Sequence, residues 1–284
     1  MIQPVNIGVI GTVGYPSVLI GSLHRHISPD VARIAAVDDS LSTPTEATAD
    51  ILKGYDAARV KGVDALLKYE GLDAIIVATS IDSHLPFTQA ALEAGLAVHC
   101  EKPVTATVDE AHQMIAARDA AGRPVHVGFQ DTYSSSIQWA KKKILDGAIG
   151  KVRRVRLQAR WPRNAAYYHR NNWAGALKRD GKWVLDSPAH NALAHQINTI
   201  LYLTGADSDA SNVATSVEAE LYRARDITNY DTCAIRCGTA EACDVLILLT
   251  HACPTMFQPL IEFIGEKGTI RRVHPGYCEL VVDG

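Results

Sequence analysis

Lys102 follows the apolar run Leu96-Ala97-Val98-His99-Cys100 and Glu101, and precedes Pro103. A cation at the C-terminal edge of a parallel sheet, beside a proline that restricts the turn, can hold a reacting hydroxyl. It thereby lowers the energy of the alkoxide that develops there. A second chemical position is the turn Gly11-Thr12-Val13-Gly14-Tyr15-Pro16, directly after the apolar run Val5 to Ile10. A pyrophosphate can rest on backbone N–H groups where such a strand enters a helix. Counted as G-x-G-x-x-G from Gly11, the second and third positions hold Val13 and Pro16, and Gly14 can supply a different backbone path. Asp38 ends the next apolar run, 27 positions after Gly11. A carboxylate there accepts hydrogen bonds from both ribose hydroxyls and repels a 2′-phosphate, which favours NAD over NADP. Asp38 or Asp39 could equally cap the turn that follows.

These residues need a rigid frame, and the periodicity supplies one. Val5 to Ile10, Ile34 to Val37, Ala74 to Ala78, Leu96 to Cys100 and Val125 to Phe129 are short and rich in apolar residues, as strands buried on both faces should be. Between them, Ser83 caps a segment carrying Phe87, Ala90, Ala91 and Ala94, closed by Gly95. Thr107-Val108-Asp109-Glu110 reads as a capping box whose helix places Val108, Ala111 and Ile115 on one face. Beyond about residue 150 the strands lengthen and alternate: Val152 to Trp161, Val213 to Leu221, Thr232 to Cys237, Cys243 to Thr250, Leu260 to Ile264 and Glu279 to Val282. One helix, Pro188 to Thr204, interrupts them, with Ser187 as N-cap and Gly205 as its stop. The expectation is an α/β chain in two domains. Residues 1–129 form a Rossmann-type doubly wound parallel sheet, and residues 130–284 form an α+β domain with a largely antiparallel, open sheet.

Composition narrows the partners. The 28 basic and 31 acidic side chains give a net charge of −3, too near neutrality to imply nucleic acid or an anionic membrane. No apolar run approaches membrane-spanning length, and no basic segment precedes an apolar one at the start, so a cytoplasmic protein with reduced thiols is expected. Cys233, Cys237 and Cys243 could be read as metal ligands, but they stand in apolar strand-like segments where cysteine is a common core residue; no metal is expected. Lys141-Lys142-Lys143 reads as a solvated helix face, because Ile137, Ala140, Ile144 and Leu145 form the buried stripe.

The segment Asp73-Ala74-Ile75-Ile76-Val77-Ala78-Thr79-Ser80, then His84, then Glu101-Lys102-Pro103, closely resembles the Gfo/Idh/MocA family of oxidoreductases. Gly147-Ala148-Ile149-Gly150-Lys151-Val152-Arg153 matches that family's boundary motif, so the resemblance runs the length of the chain. It implies a nicotinamide-dependent enzyme acting on sugars, polyols or similar small molecules. Gly11, Thr12, Val13, Asp38, Thr79, Ser80, His84, Glu101 and Lys102 then hold NAD, with NADP less favoured. In the family the matching lysine lies between nicotinamide and substrate. The resemblance also implies a homo-dimer or homo-tetramer formed through the open face of the second sheet, and residues 130–284 are short for the family's substrate domain.

The family's acid/base histidine usually stands four residues after an aspartate, and two registers fit: Asp186/His190 and Asn191/His195. His195 lies ten residues before Gly205, the better match to the family's spacing, and shares a helix face with Asn191, Asn198 and Tyr202. His190 falls nearer the apolar side of Leu193, Ile197 and Leu201. His195 is therefore the favoured base, with Asn191 orienting it or Asp186 supplying the carboxylate. Arg160, Trp161, Arg163, Tyr167 and Trp173 lie in a loop rich in aromatic rings and guanidinium groups, suited with His190 to a polyhydroxylated substrate or, equally, to a subunit interface. Two other functions remain open on sequence: a sugar- or dinucleotide-binding regulator on the same fold, and a glycoside-cleaving enzyme that uses NAD without net redox change.

Overall fold

Alternating apolar runs and helices build the first half as expected. The computed structural model describes residues 3–40, 43–241, 243–273 and 276–282; Asp283 and Gly284, at the end of the expected last strand, lie outside them. The chain divides into two units, Met1–Gly128 and Phe129–Gly284.

In the first unit the order is β1 (Val5–Ile10), α1 (Tyr15–His26), β2 (Ala32–Asp38), α2 (Glu46–Gly54), β3 (Ala58–Val60), α3 (Val63–Leu67), β4 (Ala74–Val77), α4 (Ile81–Glu93), β5 (Ala97–Cys100), α5 (Val108–Ala121) and β6 (Val125–Val127). The strands lie in the order β3-β2-β1-β4-β5-β6, all parallel. The progression of strand order reverses between β1 and β4, so the loops after these two strands open at the switch point where such sheets bind ligands. Apolar clusters cover both faces: Val9, Ile34, Val37 and Ile76 with Ile20 and Leu52 on one, Ile10, Ile75, Val77 and Val98 with Leu92 and Met114 on the other.

Local details differ in instructive ways. Strand β3 was not anticipated, because three residues centred on Arg59 carry no apolar run. Helix α4 starts after Ser80, not Ser83, and the Ser83 hydroxyl bonds the Ser80 carbonyl at 2.6 Å and Thr79 Oγ1 at 2.7 Å. The Thr107–Glu110 capping box is formed. Its helix, however, packs along α4, buries Met114 and leaves Val108 and Ile115 exposed.

The second unit begins with α6 (Ser135–Leu145), β7 (Val152–Arg160), the short α7 (Ala165–Tyr168) and the hairpin β8 (Lys178–Arg179) and β9 (Lys182–Trp183). A π-helical turn, Pro188–Ala192, precedes α8 (Ala194–Leu203). Then come β10 (Ala214–Tyr222), β11 (Thr232–Thr239), β12 (Asp244–Thr250), β13 (Phe257–Gly265), β14 (Gly268–Val273) and β15 (Tyr277–Val282). The seven-stranded sheet runs β10-β11-β12-β7-β13-β14-β15, antiparallel except for the parallel β12–β7 pair. Val155, Leu157 and Ala159 of β7 turn inward to a core shared with Leu193, Ile200 and Leu203, so alternate residues of β7 face the open side. Strand β14 escaped the pattern because of Arg271 and Arg272, and Arg272 is buried against Asp131.

Two expectations fail here. The single helix Pro188–Thr204 is broken at Leu193, whose N–H donates to the Pro188 carbonyl five residues back at 2.8 Å. That extra residue per turn ends the simple helical register. The buried residues of α8 are Ala194, Gln196, Thr199, Ile200 and Leu203; of the expected apolar side, Leu193 is fully buried just before the helix, while Ile197 and Leu201 are only partly buried. Lys141 is not solvated either: it is 2% exposed, and its ammonium donates to carbonyls at the end of α8.

Candidate active site

The turn after β1 takes the path that its single matched glycine foreshadowed. Gly11 has φ +87° and Gly14 has φ +76°, both in the region open to glycine. Gly14 is the N-cap of α1, with no side-chain cap and no acidic residue in the first turn. Thr12 is buried and Val13 exposed. A helix start with a glycine N-cap and no acidic residue in its first turn has the chemistry of an anion cradle. Asp38 is 3% exposed, and its Oδ1 accepts from the backbone N–H groups of Ser40 and Gly62, both at 2.9 Å. The turn-capping role weighed for Asp38 is thus real and occupies one oxygen of the carboxylate. Asp39 pairs with Lys61 at 2.7 Å and with Arg59. The hydrogen bond from Lys61, and then that from Arg59, hold the Asp39 carboxyl below its usual range.

At the next two strand ends, one residue ties the loops together. His84 is 1% exposed; its Nδ1 bonds the Pro103 carbonyl at 2.8 Å and its Nε2 lies 3.3 Å from the Thr79 carbonyl. Burial lowers its pKa, so the ring is neutral and Nδ1–H is the donor. His84, carried by α4, therefore bonds the Lys102-Pro103 loop from inside, with its other nitrogen close to the Thr79 carbonyl. Glu101 is likewise buried and accepts the Lys102 N–H at 3.1 Å through Oε2. Asp38 ends β2, and Gly11, Thr79 and Lys102 stand one or two residues beyond β1, β4 and β5, at the C-terminal edge of one parallel sheet.

In the second unit the structure joins Asp186 to Asn191. Asp186 Oδ1 accepts from Asn191 Nδ2 at 2.7 Å, and Oδ2 accepts from the Gly175 N–H at 2.6 Å. Ser187 caps the π turn through the His190 N–H and donates to the Tyr230 hydroxyl at 2.9 Å. His190 and His195 are both half-buried, and the ring of His195 meets Phe129 edge-on at 5.8 Å. The aromatic loop packs largely on itself. Arg163 lies 4.5 Å from the Tyr167 ring, and Arg170 lies 3.7 Å from Tyr167 and 5.6 Å from Trp173. Trp161 packs on the core and donates to Gln258 at 3.2 Å. Arg160 is separated from these residues: it points to the open sheet face, 5.5 Å from the Phe257 ring, beside an open groove of about 440 Å³ lined by Gln158, Tyr222, Leu248 and Thr250.

Sequence reasoning passed over Tyr230 and His251, which with Tyr168 of the aromatic loop, Asp186 and Ser187 line a cavity of about 10 Å³, far too small for a sugar ring. Only the apolar run ending at Thr250 hinted at His251. It is 3% exposed, bonds the Trp161 carbonyl at 2.7 Å, and burial lowers its pKa to about 4. A base depressed from 6.5 contributes stability above pH 6.5 that is lost as pH falls towards about 4, on the order of 3 kcal/mol in full. Urea unfolding at pH 7 and pH 4.5 should show a larger acid loss for the parent than for His251→Gln; equal losses would contradict this.

A parallel sheet of the dinucleotide-binding type with a glycine turn after its first strand, followed by a mostly antiparallel sheet, defines a two-domain α/β class. Comparisons narrow it. Residues 5–129 match the description "Oxidoreductase family, NAD-binding Rossmann fold", and residues 137–271 match "GFO/IDH/MocA C-terminal domain". The chain belongs to the Gfo/Idh/MocA family of oxidoreductases, with that family's NAD-binding Rossmann domain. It is 24% identical over 253 residues to inositol 2-dehydrogenase of Rhizobium meliloti, covering 88% of this chain and 72% of the relative. It is 27% identical over 281 residues to inositol 2-dehydrogenase of Azotobacter vinelandii, covering 97% and 75%. The WlbA dehydrogenase of Bordetella pertussis, solved with NADH and UDP-GlcNAcA, shares the fold with a TM-score of 0.83 at 22% identity, over 99% of this chain and 78% of that one. All six cysteines are free thiols, and among the described residues no group of three metal-ligating side chains occurs and no helix is long and apolar enough to cross a membrane.

Proposed function

We propose that this chain transfers a hydride between NAD and a hydroxyl-bearing carbon of a sugar, polyol or related small molecule. The observation that carries this reading is Lys102, which closes β5 at the same sheet edge as the uncapped Gly11–Gly14 turn and the buried Asp38. The α1 N-terminus would hold the pyrophosphate, the second oxygen of Asp38 the ribose, and the Thr79-Ser80 loop the nicotinamide end. NAD bound there supplies the hydride acceptor. Lys102 steadies the oxygen on which charge develops, and its N–H, held by Glu101, keeps its backbone in place. His195 moves the hydroxyl proton, and Asp186 and Asn191 order the polypeptide that leads into α8. The substrate class is supported by the relatives named inositol 2-dehydrogenase and by the aromatic and guanidinium loop of Arg163, Tyr167, Arg170 and Trp173. Arg160, on the open sheet face, serves a homo-oligomer contact better than a substrate.

Titrating the chain with NAD, NADH and NADP by intrinsic fluorescence, then following NADH formation with myo-inositol and a panel of sugars, tests this reading. Binding of NAD and net NADH release are expected. Failure to bind any dinucleotide at millimolar levels would leave a regulator of another kind, and consumption of a glycoside without NADH release would select the non-redox enzyme. Asp38→Ala should shift preference towards NADP by about tenfold or more, since Arg59 and Lys61 remain nearby once the carboxylate is gone. An unchanged NAD/NADP affinity ratio would remove Asp38 from the ribose site.

A further inference from the structure

Two histidines outside the residues so far assigned stand side by side on the Rossmann sheet. His99 of β5 and His126 of β6 are register partners, and their Nδ1 atoms are 2.9 Å apart. The ring planes lie within 21° of each other with centroids 5.0 Å apart, so the two nitrogens meet nearly in plane and not face to face. Such a contact requires one N–H and one lone pair. The other nitrogen of His99, Nε2, is 3.5 Å from Glu101 Oε1. That is a charge contact and not a hydrogen bond; a carboxylate oxygen so placed still favours an N–H over a lone pair, which orients His99 with its proton on Nε2 and its Nδ1 accepting from His126 Nδ1–H.

The carboxylate at the end of this chain is closely seated. Glu101 Oε2 accepts the Lys102 N–H at 3.1 Å, and a Cβ on Gly128 would lie 2.6 Å from Glu101 Oε1. Glycine at that position leaves room for the carboxylate. One oriented series therefore runs from the exposed His126 through half-buried His99 to buried Glu101 and the backbone of Lys102.

We propose that His126, His99 and Glu101 form a positioning array that sets the backbone of Lys102, with His99 fixing where the carboxylate sits. This rests on the reading of Lys102 as the residue that steadies the reacting oxygen. The titratable groups around the array are His99, His126 and Glu101 themselves, His84 from α4, and the Cys100 thiol on the other side of β5. Burial, then His99, lowers the pKa of His126. A second proton in acid sets N–H against N–H and opens the link.

Nitrogen-15 NMR of the full chain labelled at histidine tests this without any substrate. A coupling across the Nδ1–H···Nδ1 bond is expected, with His99 as the Nε2–H tautomer and the Lys102 amide resonance moving with pH at the midpoint of His126. In His99→Leu the Lys102 amide should lose that midpoint. In His99→Gln, whose amide can still donate to the carboxylate, the neutral-pH shift should return without the midpoint. Absence of the coupling in the parent chain, or a Lys102 amide indifferent to His99→Leu, overturns the array even if that variant folds poorly, because the first readout needs no variant. Where turnover is measured, His99→Leu should lower kcat on the order of ten- to a hundredfold with KM for NAD little changed. The array thus stands on the resonances, and the redox reading stands separately on NADH formation.

Discussion

Replacing Lys102 with alanine is expected to lower turnover about 100- to 1,000-fold while leaving NADH binding and the unfolding midpoint near those of the parent chain. The first part follows from the proposed chemistry. A single preorganised cation beside a developing alkoxide acts in the transition state and barely in the ground state, so its removal falls on kcat. The second part follows from how the loop is held. The Lys102 N–H bonds Glu101, and the Pro103 carbonyl bonds His84, so backbone contacts fix the segment whatever side chain stands at 102. Lys102→Arg should recover only part of the rate, because a planar guanidinium keeps the charge but changes its reach. The measurements are steady-state NADH formation, fluorescence titration with NADH, and urea unfolding. Undiminished turnover in Lys102→Ala would end the assignment, whereas lost rate together with lost stability would show a structural residue.

Lys141→Met is expected to cost on the order of 4 kcal/mol of stability and to lower Tm by roughly 10 °C. The Lys141 ammonium donates to the carbonyls of Tyr202 at 2.6 Å, Gly205 at 2.9 Å and Ala210 at 3.4 Å, and it lies 4.9 Å from the Tyr202 ring centroid. Three donors meet three acceptors, two of them at the C-terminal end of α8, where the helix dipole favours a cation. Burial lowers the pKa of this amine, while Asp207 opposes that shift. Methionine fills the same space but donates nothing, so the carbonyls lose their partner in a place that water barely reaches. Gly205 leaves the turn no room to rearrange, since a Cβ there would lie 2.0 Å from the Ala210 carbonyl oxygen. Thermal unfolding followed by circular dichroism decides the matter, with Lys142→Met as the comparison. Lys142 is exposed and pairs with Asp146, four residues on, so its loss should fall within about 0.5 kcal/mol. Equal effects of the two substitutions would refute the buried role.

The contrast between Lys141 and Lys142 shows where reading the chain stops. By itself the sequence determined the five apolar strands of the first unit, the Thr107–Glu110 capping box, the glycine path at Gly11 and Gly14, the Ser187 cap and the Glu-Lys-Pro turn. Each depends on neighbours within a few residues, where steric limits and capping chemistry act directly. Tertiary structure alone decided that Lys141 turns inward, because its partners are 61 to 69 residues away. It alone decided that His99 meets His126 across 27 residues, since strand register is set by packing of the sheet. The break at Leu193 was equally hidden: a π turn adds one residue to the helical count, and only the bond back to Pro188 reveals it. Arg160 and Trp161 are adjacent in the chain yet take opposite sides of β7, because the pleat alternates while the core occupies one face. The chemical residues were legible because their types are rare at such positions; their orientation was not, because it depends on long-range contacts.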